Sequence, residues 1–165
     1  MDSSSLILLA KIGALDKIID NMKDKIIIPE EVYNESVKKK NTFDAKLIEA
    51  RVKMNKIDRK KIKNMKVYRK IKEDFNLGDG EAECITLCIE YASDLIADDR
   101  KAINICKILK IRYTTAPNII VKLYTKRIIK KQEAENYIKK LEEYGRYSKE
   151  IITITKEKIN NETHE

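Results

Sequence analysis

The chain is poor in loop-forming residues and in those that build common nucleophilic sites. Its 165 residues include four glycines, two prolines, three cysteines, one histidine and no tryptophan. So little glycine and proline excludes collagen-like and loop-dominated folds. The lone histidine, His164, lies in the tail, which leaves no base for a Ser–His or Cys–His nucleophile and argues against zinc. Cys84, Cys88 and Cys106 supply no disulfide framework; they suit a reducing compartment and read as buried structural thiols on helix stripes. No GxxxxGK[ST] run supports a Walker-type nucleotide site. No apolar run approaches the roughly 18 residues of a membrane span. The short apolar stretch 6–10 stands behind Asp2 with no basic residues before it, which argues against a secretory leader.

Charge is abundant. Thirty-five Lys and Arg face 27 Asp and Glu, for a net charge of +8, while 42% of the residues are hydrophobic. That apolar content is enough for a packed core and excludes a disordered chain. The expectation is one cytoplasmic domain over residues 1–159, with a frayed polar tail at 160–165 and no membrane partner. The excess is concentrated: residues 1–35 carry a net charge of −3, residues 36–76 carry +10, and residues 77–165 carry +1. The basic segment reads either as a solvated face or as a phosphate-gripping arm, densest at Lys38, Lys39, Lys40, Arg59, Lys60, Lys61 and Lys63. Tyr68, beside Arg69 and Lys70, is a candidate for base stacking.

Ile26, Ile27 and Ile28 read as a buried strand, ended by Pro29, which opens a helix with Glu30 and Glu31 in its first turn. Phe43, Leu47, Ala50 and Met54 fall on one helix face. The stretch 56–66 is too basic to assign, with Ile57 or Val67 as markers of an edge strand. Gly78-Asp79-Gly80 breaks the chain before a helix over 81–92. Residues 95–97 and 112–114 read as further strands, alternating with helices that Pro117, Gly145 and Ser148 delimit. That alternation predicts a parallel sheet covered on both faces.

In such a sheet, functional side chains gather at the C-terminal ends of the strands. Asp98 and Asp99 directly follow the strand at 95–97. Glu35 lies about two helical turns beyond the strand at 26–28. Glu81 and Glu83 open a helix behind the glycine break, and Asp2 stands ahead of the first helix. Each has a plainer reading: a polar terminus for Asp2, a surface position for Glu35, dipole complement for Glu81 and Glu83, a helix cap for one of the aspartates. If they converge, their mutual repulsion calls for a hard divalent cation such as Mg²⁺ or Mn²⁺. Such an ion supports phosphodiester hydrolysis.

Four ordered pieces carry a family likeness: Asp2-Ser3-Ser4-Ser5-Leu6-Ile7; Pro29-Glu30-Glu31-Val32-Tyr33-Asn34-Glu35; Leu77-Gly78-Asp79-Gly80-Glu81-Ala82-Glu83; and Leu95-Ile96-Ala97-Asp98-Asp99-Arg100-Lys101-Ala102. Together, over residues 2–151, they resemble the PIN-domain family of metal-dependent ribonucleases, which includes many prokaryotic toxin nucleases. The resemblance implies an α/β/α sandwich with a short parallel central sheet. It implies a metal site of Asp2, Glu35, Glu81 and one or both of Asp98 and Asp99, holding Mg²⁺ or Mn²⁺. Ser4 would be the hydroxyl that supports the first Asp or the water on the metal. The substrate implied is single-stranded RNA, and the partners implied are a second copy in a homodimer and an antitoxin that blocks the acidic cleft. Three features depart from the family. Only Met1 precedes Asp2, so the first strand is expected to be lacking or truncated. Residues 36–76 form a long basic helical insertion. The Gly-Thr often seen after the last core strand is absent at Tyr113-Thr114-Thr115. A non-catalytic RNA-binding or protein-interaction module on the same fold is the alternative reading.

Overall fold

The computed structural model describes residues 1–162; His164 and the rest of the expected tail beyond residue 162 lie outside the described residues. The chain runs α1 (Ser3–Lys11), α2 (Leu15–Asn21), β1 (Ile26–Pro29), α3 (Glu30–Val37), α4 (Phe43–Lys53), β2 (Ile57–Lys60), α5 (Met65–Phe75), α6 (Asp79–Tyr91), β3 (Leu95–Ile96), α7 (Arg100–Leu109), β4 (Tyr113–Thr114), α8 (Ala116–Thr125), α9 (Lys131–Tyr144) and α10 (Lys149–Asn161). Local chemistry sets most boundaries. Gly13, at φ +82°, takes the left-handed turn between α1 and α2. Thr115 and Ser148 cap α8 and α10 through their hydroxyls, and Pro117 sits in the first turn of α8.

The strands form two parallel pairs, β1 with β2 and β3 with β4. Between the pairs lie Met1 and Asp2. The Met1 nitrogen donates to the Ile27 carbonyl of β1 at 3.1 Å, and the Asp2 N–H donates to the Ile96 carbonyl of β3 at 3.0 Å. The spatial order is therefore β2–β1–(Met1–Asp2)–β3–β4, with two residues holding the central position. Met1 and Asp2 are the backbone that joins β1 to β3. Beside it a cavity of about 1070 Å³ opens between the two strand pairs, lined by Met1, Ile27, Ile96 and the thiol-bearing face of α6 and α7.

Leu95 and Ile96 point to opposite faces of the sheet and are 1% and 6% exposed, so both faces are covered. The protein is a mixed α/β fold in which helices cover short parallel strand pairs. Leu6, Leu9, Ile28, Ile85, Leu95 and Ile120 lie at the centre of its core. The three cysteines are free and buried; burial pushes the Cys84 thiol up to about 12 and the Cys106 thiol up to about 11, which keeps both inert.

Two details differ from the sequence pattern. The unassigned basic stretch contributes β2, an edge strand whose Ile57 is buried and whose Asp58, Arg59 and Lys60 face outward in whole or part. The basic segment is thus helical on either side of a strand and belongs to the sheet. In α4 the buried residues are Ala45 and Ile48, whereas Phe43 and Met54 are 68% and 64% exposed. The helix turns Ala45 and Ile48 inward because it packs on α1, α3 and β2, and Arg51, on its outer side, bonds Asp16 of α2 at 2.5 and 2.6 Å.

Replacing Ile28 by Ala removes a fully buried side chain and is expected to cost about 2–5 kcal/mol in urea denaturation. Ile108→Ala, at a residue 66% exposed, is expected to change stability by less than about 0.5 kcal/mol.

Candidate functional site

Asp2 is fixed through both backbone and side chain. Its N–H reaches β3, and its carboxylate Oδ1 accepts the Ser5 N–H at 2.8 Å as the N-cap of α1. Ser5 is fully buried and donates its hydroxyl to Asp98 Oδ2 at 2.7 Å. Asp98, just beyond β3, accepts the Ala116 N–H of α8 on its other oxygen at 3.0 Å. One serine thus joins two aspartates where α1, β3 and α8 meet, at the C-terminal end of β3. Burial raises the pKa of Asp2 above the ordinary aspartate value; the Asp98 charge adds to the rise, and the Ser5 hydrogen bonds oppose it.

Glu35 and Glu81 each lie against the first turn of α6, at different glycines. The Glu35 carboxylate rests against Gly80, where an added Cβ would stand 3.2 Å from its Oε1 and 3.3 Å from its Oε2. Glycine at this position leaves the space the carboxylate occupies. Glu81 folds back to accept the Gly78 N–H at 3.1 Å, closing the start of the helix. Glu83 accepts the Glu31 N–H at 3.2 Å and so ties α6 to the start of α3; burial raises its pKa.

Asp99 is an exposed N-cap. Its Oδ2 accepts the N–H groups of Lys101 and Ala102 at 2.7 and 3.0 Å. Of the two adjacent aspartates, Asp98 faces Asp2 and Asp99 holds α7. Ser4 is exposed, and the hydroxyl that supports the acidic pair belongs to Ser5. With Asp2 as the cap, Ser5 is the third helical residue, whose N–H meets the cap, and Ser4 projects about 100° away around the helix. The i+3 spacing from Asp2 is the sequence signal for Ser5. Tyr147 lies between α9 and α10. Its hydroxyl oxygen is buried. Burial, then the charges of Asp98 and Asp2, push the phenol far above its ordinary pKa.

A family model described as a PIN domain matches residues 1–160. The chain belongs to the PIN-domain family. No curated protein and no solved structure matches it.

PIN domains have a nuclease-like fold and generally use divalent metal ions. The donor chemistry of this PIN domain fits such an ion: every candidate ligand is a carboxylate, and Asp2 and Asp98 are a close pair whose mutual repulsion a cation would relieve. Gly80 likewise leaves room for the Glu35 carboxylate. Among the described residues, however, no three His, Cys, Asp or Glu side chains come together closely enough to hold a metal. Asp2 and Asp98 are joined through Ser5, while Glu35 and Glu81 lie separately against α6.

Basic residues border the acidic group on α3. Lys38, Lys39 and Lys40 begin three residues after Glu35, at the C-terminal end of that helix, where the dipole favours cations. They and Lys61 are exposed and have no ion-pair partner among the described residues. Arg59 pairs with Glu30 at 3.3 Å and stacks on Tyr33, Lys60 pairs with Asp58 at 3.8 Å, and Lys63 lies over the Tyr91 ring. Tyr68 donates its hydroxyl to Asp79, which also pairs with Lys72.

Two outcomes are expected. Asp99→Ala removes a helix cap and should cost about 1 kcal/mol in urea denaturation. The raised pKa of Asp2 means that the folded state holds a proton more tightly than the unfolded one. The resulting penalty is absent below the ordinary aspartate pKa, near 4, and grows as pH rises through the elevated value. Melting curves of the protein and Asp2→Asn should therefore diverge over that window, with the native protein losing ground as pH rises.

Proposed function

We propose that the protein is a divalent-metal-dependent endoribonuclease acting on single-stranded RNA. The observation that carries this reading is the Ser5-bridged pair of Asp2 and Asp98 at the C-terminal end of β3, in a chain whose family has a nuclease-like fold. In this reading Asp2 and Asp98 hold Mg²⁺ or Mn²⁺, with Glu35 and Glu81 as the neighbouring carboxylates. When bound, such an ion activates water and stabilises the charge that builds on a phosphate oxygen. Ser5 and the Ala116 N–H keep Asp98 oriented. Lys38, Lys39, Lys40 and Lys61 attract the RNA backbone, and Lys63 with Tyr91 offers a cation beside an aromatic face. A cytoplasmic, toxin-like setting with an antitoxin or homodimer partner belongs to the same proposal.

The lack, among the described residues, of three ligating side chains close enough for one ion favours one second reading, a non-catalytic RNA-binding module. A single experiment divides them. Single-stranded RNA is incubated with the protein and Mn²⁺, and in parallel with Asp98→Asn. The ribonuclease reading expects metal-dependent cleavage that falls by about a hundredfold or more in the variant. Binding without cleavage, at equal strength with and without Mn²⁺, would establish the second reading instead.

Salt dependence reports on the basic loop. Replacing Lys38, Lys39 and Lys40 together by Ala should weaken RNA binding and reduce the slope of log affinity against log salt by about 2, at roughly 0.7 per phosphate contact on single strands. Fluorescence anisotropy across a salt series measures it.

A further inference from the structure

The cavity between the two strand pairs has the form of a strand site. It holds about 1070 Å³, and its inner end is one strand wide, because Met1 bonds to β1 on one side and Asp2 to β3 on the other. In a strand the N–H and C=O of one residue point to the same edge, and those of the next residue to the opposite edge. The Ile27 carbonyl accepts from Met1, so the Ile27 N–H also faces the gap and not β2. On the other wall Leu95 and Ala97 give their N–H groups to Arg112 and Thr114, which turns the Ile96 N–H into the gap. Each wall thus presents a backbone donor to the same slot. Successive carbonyls of one extended chain point to opposite edges, so a single inserted strand accepts from both walls.

The side chains add a second, independent signal. Leu87, Cys88 and Cys106 line the slot with apolar surface. Met22, Tyr91 and Tyr113 also line it, and they are exposed although large and hydrophobic. The mouth opens at the N-terminal ends of the strands, beside Lys25, Asp94 and Arg112. There Lys107, Lys110 and Lys122 are exposed and have no ion-pair partner among the described residues. Of the two aspartates lining the slot, Asp94 is paired with Arg112, which leaves Asp24 against those three cations. The interior therefore selects apolar side chains, and the mouth selects negative charge.

We propose that this slot docks an extended apolar segment of a partner protein, with acidic residues at the segment's N-terminal end. The segment adds as a central strand parallel to β1 and β3, so that its N-terminal residues stay at the basic mouth. Main-chain hydrogen bonds to Ile27 and Ile96 supply the binding, as in other cases of strand addition. A strand covered on both faces calls for a continuous run of valine and isoleucine.

The probe is a peptide of two glutamates followed by four alternating valines and isoleucines, with fluorescein at its N-terminus. It is added to the full chain without metal or RNA. Anisotropy is expected to show saturable binding, and amide exchange at Ile27 and Ile96 is expected to slow by about tenfold or more. The same peptide with prolines at its second and fourth apolar positions is expected not to bind, because proline does not fit a central strand. The surface variant Lys107→Glu/Lys110→Glu is expected to bind the first peptide about tenfold more weakly; native affinity there would contradict the acidic end of the segment. Absence of saturable binding would overturn the proposal. So would binding that leaves exchange at Ile27 and Ile96 unchanged, which would make the slot a general apolar pocket. Protection of both amides in the protein alone, rising with its concentration, would place a second copy in the slot and overturn the proposal as well.

Discussion

The hydrogen-bonded path from Asp2 through Ser5 to Asp98 is the contact on which the rest of the site depends. It starts at the N–H of Asp2 on β3, passes through the cap of α1 and ends on the first N–H of α8. Three elements distant in sequence are fastened by one buried hydroxyl and two carboxylates. The same path anchors the backbone between β1 and β3, where Met1 and Asp2 give one backbone hydrogen bond to each neighbouring strand. Removing Ser5 would therefore loosen the fold and separate the acids at once.

This arrangement has an electrostatic cost. Two carboxylates are drawn together where burial already disfavours the ionised form of one of them. The Met1 terminal ammonium, a capping N–H and a hydroxyl offset part of that cost. Elsewhere the molecule pairs its acids conventionally: Asp16 with Arg51, Asp79 with Lys72, Glu30 with Arg59. Among the described residues no lysine or arginine pairs with Asp2 or Asp98, in a chain with a net charge of +8, and Lys38, Lys39 and Lys40 follow Glu35 without an ion-pair partner. That arrangement suits a centre that meets a cation on one side and a phosphate backbone on the other.

Features written in contiguous residues were legible in the sequence. Gly78-Asp79-Gly80-Glu81 marks a helix start, and Leu95-Ile96-Ala97-Asp98-Asp99 a strand followed by acids. Features set by distant partners were not. Ile57 marked β2 as a candidate edge strand, but its charged neighbours left the strand's extent to its pairing with β1. The face that α4 buries depends on its packing against α1 and α3, distant in sequence. Asp98 and Asp99 are chemically equal as neighbours, and only the direction of each side chain separates a site residue from a cap. Choosing Ser5 over Ser4 required knowing that Asp2 is the cap. Tyr147, on a connector near the end of the chain, buries its ring through tertiary packing that no local periodicity encodes.

The central claim is that Asp2 and Asp98 form a cation site. Anomalous diffraction from crystals of the protein soaked in Mn²⁺ tests it most directly. The account predicts a manganese peak between the two carboxylates, lost in Asp98→Asn crystals. A peak elsewhere, or none at Asp2 and Asp98 under saturating Mn²⁺, would contradict it.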